Sequence, residues 1–263
     1  ASTMATIHTA PPPEIDGRGW SCIDFISDLH LFEQQPGTFE AWSRYLATTP
    51  AQALFILGDL FEVWVGDDVL DAPASAFERA CVEQLHTAAQ RMQVHFMCGN
   101  RDFLAGPELM RRAGMQSLQD PTVLITPHAR VLMSHGDAWC IDDHDYLAFR
   151  AEVRSPAWQH NFLQRPLPER QALARAMRGA SETRKREHTT YADVDTTVAL
   201  TWLENTQAQV LLHGHTHRPA THELPGARER WVLSDWDLDA PVPRAQVLRW
   251  QPEGQGQWRR IDL

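Results

Sequence analysis

Several features that define other classes of protein are missing from the 263-residue sequence. Its four cysteines show no Cys-x-x-Cys spacing, which argues against a disulfide framework and favours reduced thiols in a cytosolic protein. No apolar run approaches the roughly 18 residues that span a bilayer, and no basic region followed by an apolar one marks a secretory signal. Net positive charge is missing too: with a formal charge of −10, no nucleic-acid partner is expected.

The length of the chain fits one large domain, or one domain with an insertion. Apolar residues make up 43% of it, which is typical of a globular protein with a substantial core. We interpret residues 1–20, which contain three consecutive prolines, as a flexible leader. Residues 21–143 and 206–263 are expected to form the core. Residues 144–205 are expected to form a helical cap inserted in it, either a functional lid or a helical decoration.

Short apolar runs that end in a small residue and then a polar one recur along the chain. Such runs favour strands buried in a layered sheet. Stretches with helical spacing, at residues 38–47 and 73–91, lie between them and predict α/β layers. Sites in such layers form beyond the carboxyl ends of the strands. Five such runs are found, and the polar residues at their ends are Asp28, Asp59, Asn100, His135 and His215.

Two pairs of metal-binding residue types are each separated by two positions: Asp28 and His30, and His215 and His217. On an extended backbone, residues two apart point to the same side, so each pair can face one site. Singly, these residues have simpler explanations, since Asp and Asn favour turns after strands and a lone histidine is usually a surface or hydrogen-bonded residue. His213 lies deeper in its strand, and we expect it to have a structural role.

Together the strand ends offer oxygen and nitrogen ligands without a thiolate. This set suits divalent Mn, Fe, Zn, Co or Ni and does not choose among them. Seven ligands are too many for one ion, but two ions about 3.5–4 Å apart that share Asp59 as a bridging carboxylate would use them all. The predicted ligands are Asp28, His30, Asp59, Asn100, His135, His215 and His217.

This arrangement resembles the calcineurin-like metallophosphoesterase superfamily. The resemblance implies a four-layer α/β/β/α sandwich built on two mixed sheets. The matching segments are Asp28-x-His30, Gly58-Asp59, Gly99-Asn100-Arg101-Asp102, Ser134-His135-Gly136-Asp137 and Gly214-His215-Thr216-His217. The first ion implied by the resemblance is held by Asp28, His30, Asp59 and His217. The second is held by Asp59, Asn100, His135 and His215.

Cleavage of a phosphoester or anhydride needs neutralised phosphoryl oxygens and an activated nucleophile, and two metal ions supply both. Asn100, Arg101 and His135 are the predicted catalytic residues. Arg101 could hold a phosphoryl oxygen by charge-assisted hydrogen bonds. The alternative for Arg101 is a surface salt bridge to Asp102.

Motifs in and around the insertion closely resemble the UDP-2,3-diacylglucosamine pyrophosphatase family of the lipid A pathway. They include Asp142-Asp143-x-x-Tyr146-x-x-Phe149-Arg150, Phe162-Leu163-x-x-Pro166-Leu167-x-x-Arg170, Ala174-x-x-Met177-Arg178-x-x-Ser181 and Glu62-x-Trp64-x-Gly66-Asp67-Asp68. The resemblance implies that water attacks the α-phosphorus of UDP-2,3-diacylglucosamine, releasing UMP and 2,3-diacylglucosamine 1-phosphate. The substrate contacts it implies are Asn100, Arg101, Asp143, Ser181, Lys185, His188 and His215.

The expected enzyme uses two divalent ions, with Mn²⁺ as the expected metal, and lies in the cytoplasm against the inner membrane. Apolar residues of the insertion suit acyl chains, since each buried CH₂ contributes about 0.8 kcal/mol; the alternative is packing of cap helices on each other. The basic run Arg184-Lys185-Arg186 could meet anionic lipid head groups, or be a solvated helix face. No obligate protein partner is expected. The rival functions are a metallophosphoesterase for another nucleotide and a metal-free binding scaffold.

Overall fold

The computed structural model describes residues 10–187, 192–253 and 256–263, and the side chains of residues 181–187 lie outside that description. Within these residues, twelve strands form two six-stranded sheets. In chain order the strands are β1 (Glu14–Asp16), β2 (Ile23–Ile26), β3 (Ala53–Leu57), β4 (Gln93–Met97), β5 (Gln116–Ser117), β6 (Thr122–Ile125), β7 (Arg130–Ser134), β8 (Val210–His213), β9 (Ala220–Leu224), β10 (Arg228–Val232), β11 (Gln246–Gln251) and β12 (Gln257–Asp262).

Both sheets are mixed. One has the strand order β12-β11-β2-β3-β4-β5, and the other has the order β1-β6-β7-β8-β10-β9. Strands β2, β3 and β4 run parallel, and Ile56 of β3 is in register with Ile26 of β2 and Phe96 of β4. Strands β7 and β8 are also parallel, with Ser134 opposite His213. The chain segments that follow these five strands therefore leave the sheets at a shared edge.

A continuous apolar core lies between the two sheets. It contains Phe25 and Phe55 from one sheet and Leu124, Met133 and Leu212 from the other, all fully buried. The two phenylalanine rings stack with centroids 5.5 Å apart. Because strands in this core are covered on both faces, their sequences are continuous apolar runs rather than alternating ones.

Helices cover the outer face of each sheet. Trp42, Leu85 and Leu109, one from each of three helices, pack over the β2–β3–β4 sheet in a second core. Ala199 and Leu203 of another helix pack on Leu132 and Leu211 of the other sheet. The layers therefore follow the predicted α/β/β/α order. The helices are α1 (Pro36–Thr48), α2 (Ala76–Ala89), α3 (Pro107–Ala113), α4 (His144–Val153), α5 (Pro156–Leu163), α6 (Leu167–Glu187) and α7 (Thr196–Thr206).

Two predicted boundaries are wrong. The flexible leader predicted for residues 1–20 ends too late, because Glu14–Asp16 form β1, which pairs in parallel with β6. Glu14 also forms an ion pair with Arg130 at 2.7 Å. The helical cap predicted for residues 144–205 includes α7, which instead forms the outer layer of the core, since Ala199 and Leu203 are fully buried against the sheet.

Helices α4, α5 and α6 form the cap. Ser155 caps the start of α5 by accepting a hydrogen bond from the backbone of Trp158, and Pro156 occupies the first helical turn. Arg170 of α6 is 2% exposed and reaches the core, where it pairs with Asp68 and donates to the carbonyl of Val65. Among the described residues, we find no helix with both the length and the apolar character needed to cross a bilayer.

Candidate metal centre

The structure brings the predicted ligands together at the shared edge of the two sheets. Two clusters form, each with ligand atoms within 4.8 Å of one another. The two clusters could each hold a metal ion, and Asn100 lies beside the second. The first cluster is Asp28, His30 and His217, and the second is Asp59, His135 and His215.

Left-handed backbone conformations orient five of these residues. The φ angles are 55° at Asp28, 47° at His30, 55° at Asp59, 72° at His215 and 54° at His217. The prediction that extended backbone aligns each pair is therefore wrong, although both pairs do face the site. A non-glycine residue in this region costs on the order of 1–3 kcal/mol, and such residues cluster at functional sites where the surrounding structure enforces them.

Backbone hydrogen bonds between neighbouring loops hold the turns at Asp28 and His30. The loop after β2 is tied to the loop after β3, with Asp28 N donating to Gly58 O and His30 N donating to Asp59 O, both at 3.0 Å. Leu31 N donates to Leu60 O at 2.9 Å. Asp28 and His30 are thus each held by a backbone hydrogen bond to the neighbouring loop.

Asp59 belongs to the second cluster and also faces the first. Its Oδ2 atom is 3.7 Å from Nε2 of His30 and 3.5 Å from Nε2 of His135. Its Oδ1 atom accepts a hydrogen bond from the backbone N–H of Arg101 at 2.8 Å. One carboxylate oxygen is therefore fixed by the protein while the other faces both clusters, which is the geometry of a bridging ligand.

Asp28 contains a buried oxygen that the protein leaves unsatisfied. Its Oδ2 atom accepts hydrogen bonds from Ser27 Oγ at 2.5 Å and from the backbone N–H of His215 at 2.9 Å. Its Oδ1 atom is buried without a hydrogen-bond partner, 3.3 Å from Nε2 of His217. A buried carboxylate oxygen without a partner is costly. A cation in the first cluster would satisfy it, so these residues fit a metal ion.

The second cluster is oriented by main-chain and amide groups. His135 Nδ1 donates to the carbonyl of Leu57 at 2.8 Å, which turns Nε2 toward Asp59. Asn100 Oδ1 lies 2.9 Å from that Nε2 atom and 3.1 Å from Nδ1 of His215. A carbonyl that fixes the far nitrogen of a histidine is a common arrangement around metal ligands.

The buried carboxylates stabilise positive charge at the centre. Burial lowers the pKa of His30, but hydrogen bonding to Asp28 and Glu62 and the charge of Asp59 outweigh it and raise that pKa to about 10. Burial opposes protonation of His135 as well, yet the charge of Asp59 raises its pKa well above the usual value. Burial and the charge of His135 lower the pKa of His215 to about 4. Divalent cations would supply the positive charge that these carboxylates favour.

Asp102 has a structural role that the sequence analysis missed. It is fully buried and accepts backbone hydrogen bonds from Gly99 at 2.8 Å, Leu60 at 2.8 Å, Asp59 at 3.2 Å and Phe61 at 3.3 Å. It therefore holds the loops after β3 and β4 together. The sequence signal is its place directly after Gly99-Asn100-Arg101. The alternative pairing of Arg101 with Asp102 is not observed, since Arg101 Nη1 lies 3.5 Å from Glu62.

Two glycines allow the loops to approach the carboxylates. A Cβ atom at Gly99 would lie 2.2 Å from Oδ1 of Asp59, and one at Gly214 would lie 2.3 Å from Oδ2 of Asp28.

His213 has the structural role expected for it. It is fully buried, donates through Nδ1 to Gly214 O at 2.7 Å and accepts from Arg230 at 3.0 Å.

A cavity of about 310 Å³ separates the cap from the core, and we call it the cap cavity. Its polar end includes Asn100 and Arg101, so it begins at the metal centre. Some apolar residues of the insertion line the cavity, while others, such as Val153, are packed in the interior, so packing accounts for part of the pattern and acyl-chain binding stays a prediction. The apolar lining includes Phe103, Leu104, Phe149, Trp158, Phe162 and Met177.

The structure describes the other predicted substrate contacts to different extents. Asp143 is exposed and caps α4, accepting from the backbone of Tyr146 at 3.4 Å. Ser181 and Lys185 belong to α6, but their side chains lie outside the described residues, and His188 lies outside them altogether. Another cavity, of about 710 Å³, lies at the opposite end of β4, near Trp20 and His95, and contains none of the predicted site residues.

The calcineurin-like phosphoesterase family model matches residues 23–219. The match and the paired clusters of possible metal ligands define the class of the protein: it is a hydrolase of the metallophosphoesterase type. This class implies divalent metal ions.

Three relatives named UDP-2,3-diacylglucosamine hydrolase match most of the chain. That of Aromatoleum aromaticum is 44% identical over 88% of this chain and 93% of its own length. That of Bordetella pertussis is 43% identical over 84% and 88%, and that of Xanthomonas axonopodis pv. citri is 41% identical over 85% and 94%. The chain belongs to the UDP-2,3-diacylglucosamine hydrolase family within that class.

Proposed function

We propose that this protein hydrolyses the pyrophosphate bond of UDP-2,3-diacylglucosamine, in lipid A biosynthesis. Water attacks the α-phosphorus and releases UMP and 2,3-diacylglucosamine 1-phosphate. The observation that carries the proposal is the cap cavity, whose polar end shares Asn100 and Arg101 with the metal centre while its remainder is lined by aromatic and aliphatic side chains. A substrate that fits both ends has phosphate groups and a large apolar portion in one molecule, as the substrate named for the relatives does.

The proposed cofactor is a pair of Mn²⁺ ions. The support is the unsatisfied Oδ1 atom of Asp28 and the position of Asp59 Oδ2 between the two clusters. Ions bound there would polarise the phosphoryl group and activate water. We assign Asp28, His30, Asp59 and His217 to the first ion. We assign Asp59, Asn100, His135 and His215 to the second.

The chain's own residues orient the substrate. Arg101 is 15% exposed, lines the cap cavity and can hold a phosphoryl oxygen through charge-assisted hydrogen bonds. Asn100 and His215 face the same region, and His135 is held in place by the carbonyl of Leu57. We also propose head-group contacts from Asp143, Ser181, Lys185 and His188, which are supported by the resemblance of their motifs to the family.

We place the enzyme in the cytoplasm, on the surface of the inner membrane, without an obligate protein partner. Support comes from two apolar side chains of the cap, Leu163 and Leu173, which are 42% and 37% exposed. The same helix as Leu173 contains the basic run 184–186. Near an anionic lipid surface, each such charge contributes about 1 kcal/mol of attraction.

Hydrolysis in ¹⁸O-labelled water tests the proposal. The protein is incubated with UDP-2,3-diacylglucosamine and Mn²⁺, and the products are analysed by mass spectrometry. Attack on the α-phosphorus places the label in UMP, whereas attack on the β-phosphorus places it in the lipid phosphate. Asp59→Asn, in which the bridging carboxylate is lost, serves as the inactive control. Absence of UMP with the unaltered protein would disprove the substrate assignment.

Another nucleotide pyrophosphate or a cyclic nucleotide is the alternative substrate, and neither accounts for the apolar lining of the cap cavity. Dinucleoside polyphosphates and cyclic nucleotides are tested in the same assay. Faster turnover of either than of the diacylated substrate would favour this alternative. A metal-free scaffold is disfavoured by the two complete clusters of ligand side chains.

A further inference from the structure

Glu62 lies where the metal centre, the Arg101 loop and the cap meet. It follows β3, and its backbone N–H donates to Leu31 O at 3.1 Å, which fixes the main chain beside the loop after β2. Its side chain is only 14% exposed and lines the polar end of the cap cavity. The carboxylate therefore occupies a defined position between three elements of the fold.

One carboxylate oxygen faces a predicted metal ligand. Glu62 Oε2 lies 3.2 Å from Nδ1 of His30, while Nε2 of the same ring faces Asp28 and Asp59 at 3.8 and 3.7 Å. A histidine that binds a metal through Nε2 carries its proton on Nδ1. A carboxylate that accepts this proton's hydrogen bond fixes both the tautomer and the ring orientation.

The other carboxylate oxygen faces two guanidinium groups. Glu62 Oε1 lies 3.5 Å from Nη1 of Arg101 and 3.4 Å from Nε of Arg178. Arg101 follows β4 in the core, whereas Arg178 belongs to α6 of the cap and also covers the ring of Phe32 at 5.0 Å. Both guanidinium groups line the mouth of the cavity, where each can attract an anionic phosphate group.

We propose that Glu62 is a positioning residue for the hydrolysis. It orients His30 toward the first metal ion, and it holds Arg101 and Arg178 at the mouth of the cap cavity, where they face the diphosphate. The role of the arginines rests on the proposed function, whereas the orientation of His30 does not depend on the identity of the substrate. An exposed ion pair would contribute little, but Glu62 is largely buried and its contacts converge from three elements.

Metal binding tests the first half of the proposal without reference to activity. The protein is stripped with a chelator and titrated with Mn²⁺ by calorimetry. Glu62→Gln keeps the shape of the side chain and removes its charge. We expect the affinity of one of the two sites to fall about 10–100-fold, the range found for partners of metal-binding histidines, while the other site stays within about twofold.

The matched control is Glu108→Gln, since Glu108 is half exposed and pairs with Arg111 on α3 away from the site. This variant should bind both ions as the unaltered protein does. Near-UV circular dichroism establishes that each variant is folded. If Glu62→Gln does not fold, Glu62→Asp replaces it, because the shorter carboxylate should still weaken one site. Unchanged affinity at both sites in a folded Glu62 variant would overturn the orienting role.

Steady-state kinetics at saturating Mn²⁺ test the second half. We expect Glu62→Gln to raise KM for UDP-2,3-diacylglucosamine about tenfold, with a smaller fall in kcat, because the two guanidinium groups lose their shared anchor. Glu108→Gln should leave both constants unchanged. An unaltered KM in Glu62→Gln would overturn the role at the arginines. Failure of the unaltered protein to hydrolyse this substrate would refute the proposed function and leave the metal titration as the test of His30.

Discussion

The metal centre and the cap differ in how they are held. At the metal centre, backbone hydrogen bonds fix the loops, and Asp102 alone accepts four of them. The cap is joined to the core by long side chains such as Arg154, which donates to Gly99 O at 3.0 Å, and Arg170. A cavity of about 310 Å³ remains between cap and core. Main-chain hydrogen bonds thus constrain the metal centre, whereas side-chain contacts around a cavity join the cap to the core.

The largest expected loss of activity comes from substitution of Asp59, the second-cluster residue that also faces the first cluster. Asp59→Asn keeps the volume of the side chain but weakens the proposed bridging ligand. We expect kcat to fall by more than about 10³-fold, the upper end of the loss seen when a single transition-state contact is removed. Steady-state hydrolysis assays and a Mn²⁺ titration measure the two effects. If Asp59→Asn retained kcat within about tenfold, the bridging role would be wrong.

Glycine substitutions compare the two regions directly. Gly99→Ala places a methyl group 2.2 Å from Asp59 Oδ1, so we expect loss of Mn²⁺ affinity and of most activity. Gly179→Ala in α6 meets nothing within 4 Å, and should stabilise the helix by up to about 1 kcal/mol, since alanine is the better helix former.

Thermal unfolding and metal titration of both glycine variants are the measurements. Equal effects of the two substitutions would show that the centre is no more tightly constrained than the cap.

The sequence predicts the two regions unequally well, for physical reasons. Each predicted ligand lies shortly after a buried strand, so the continuous apolar runs locate these residues correctly. The left-handed turns at Asp28 and His215 cannot be predicted from the apolar runs, because they depend on hydrogen bonds between loops that are distant in sequence. Strands β1 and β5 have only three and two residues, too few for any periodicity. The helix α7 shares its helical spacing with the cap, and only its packing on the sheet assigns it to the core.

Weakening the attachment of the cap to the core should have an effect smaller than that of Asp59→Asn and larger than that of a substitution in the cavity lining. Arg170→Met removes a buried guanidinium that bonds to Asp68, Val65 O and Arg165 O. Because Asp68 is 57% exposed and can be solvated, we expect a loss of about 1–3 kcal/mol in the free energy of unfolding rather than the larger cost of a fully buried pair.

In Arg170→Met, KM for the substrate should rise while the affinity for Mn²⁺ stays unchanged. Denaturant unfolding and a Mn²⁺ titration measure these quantities. Arg165→Gln, which breaks an exposed pair with Glu169, is the control, and its stability should change by less than about 0.5 kcal/mol. Loss of Mn²⁺ binding in Arg170→Met would mean that the cap and the centre form one unit, contrary to the comparison.

The smallest and most selective effect is expected in the lining of the cap cavity. Phe162 is 5% exposed and stacks on Trp158 with ring centroids 4.7 Å apart. Phe162→Ala should enlarge the cavity and weaken contacts with the ends of long acyl chains by about 1–2 kcal/mol, the value of one or two buried CH₂ groups. KM for substrates with long chains should rise about tenfold, whereas that for substrates with short chains and kcat for both should change little. Leu173→Ala, at an exposed cap position, is the control. If chain length made no difference in Phe162→Ala, the cavity would not be the acyl-chain site, because an apolar contact acts only on the part of the ligand that reaches it.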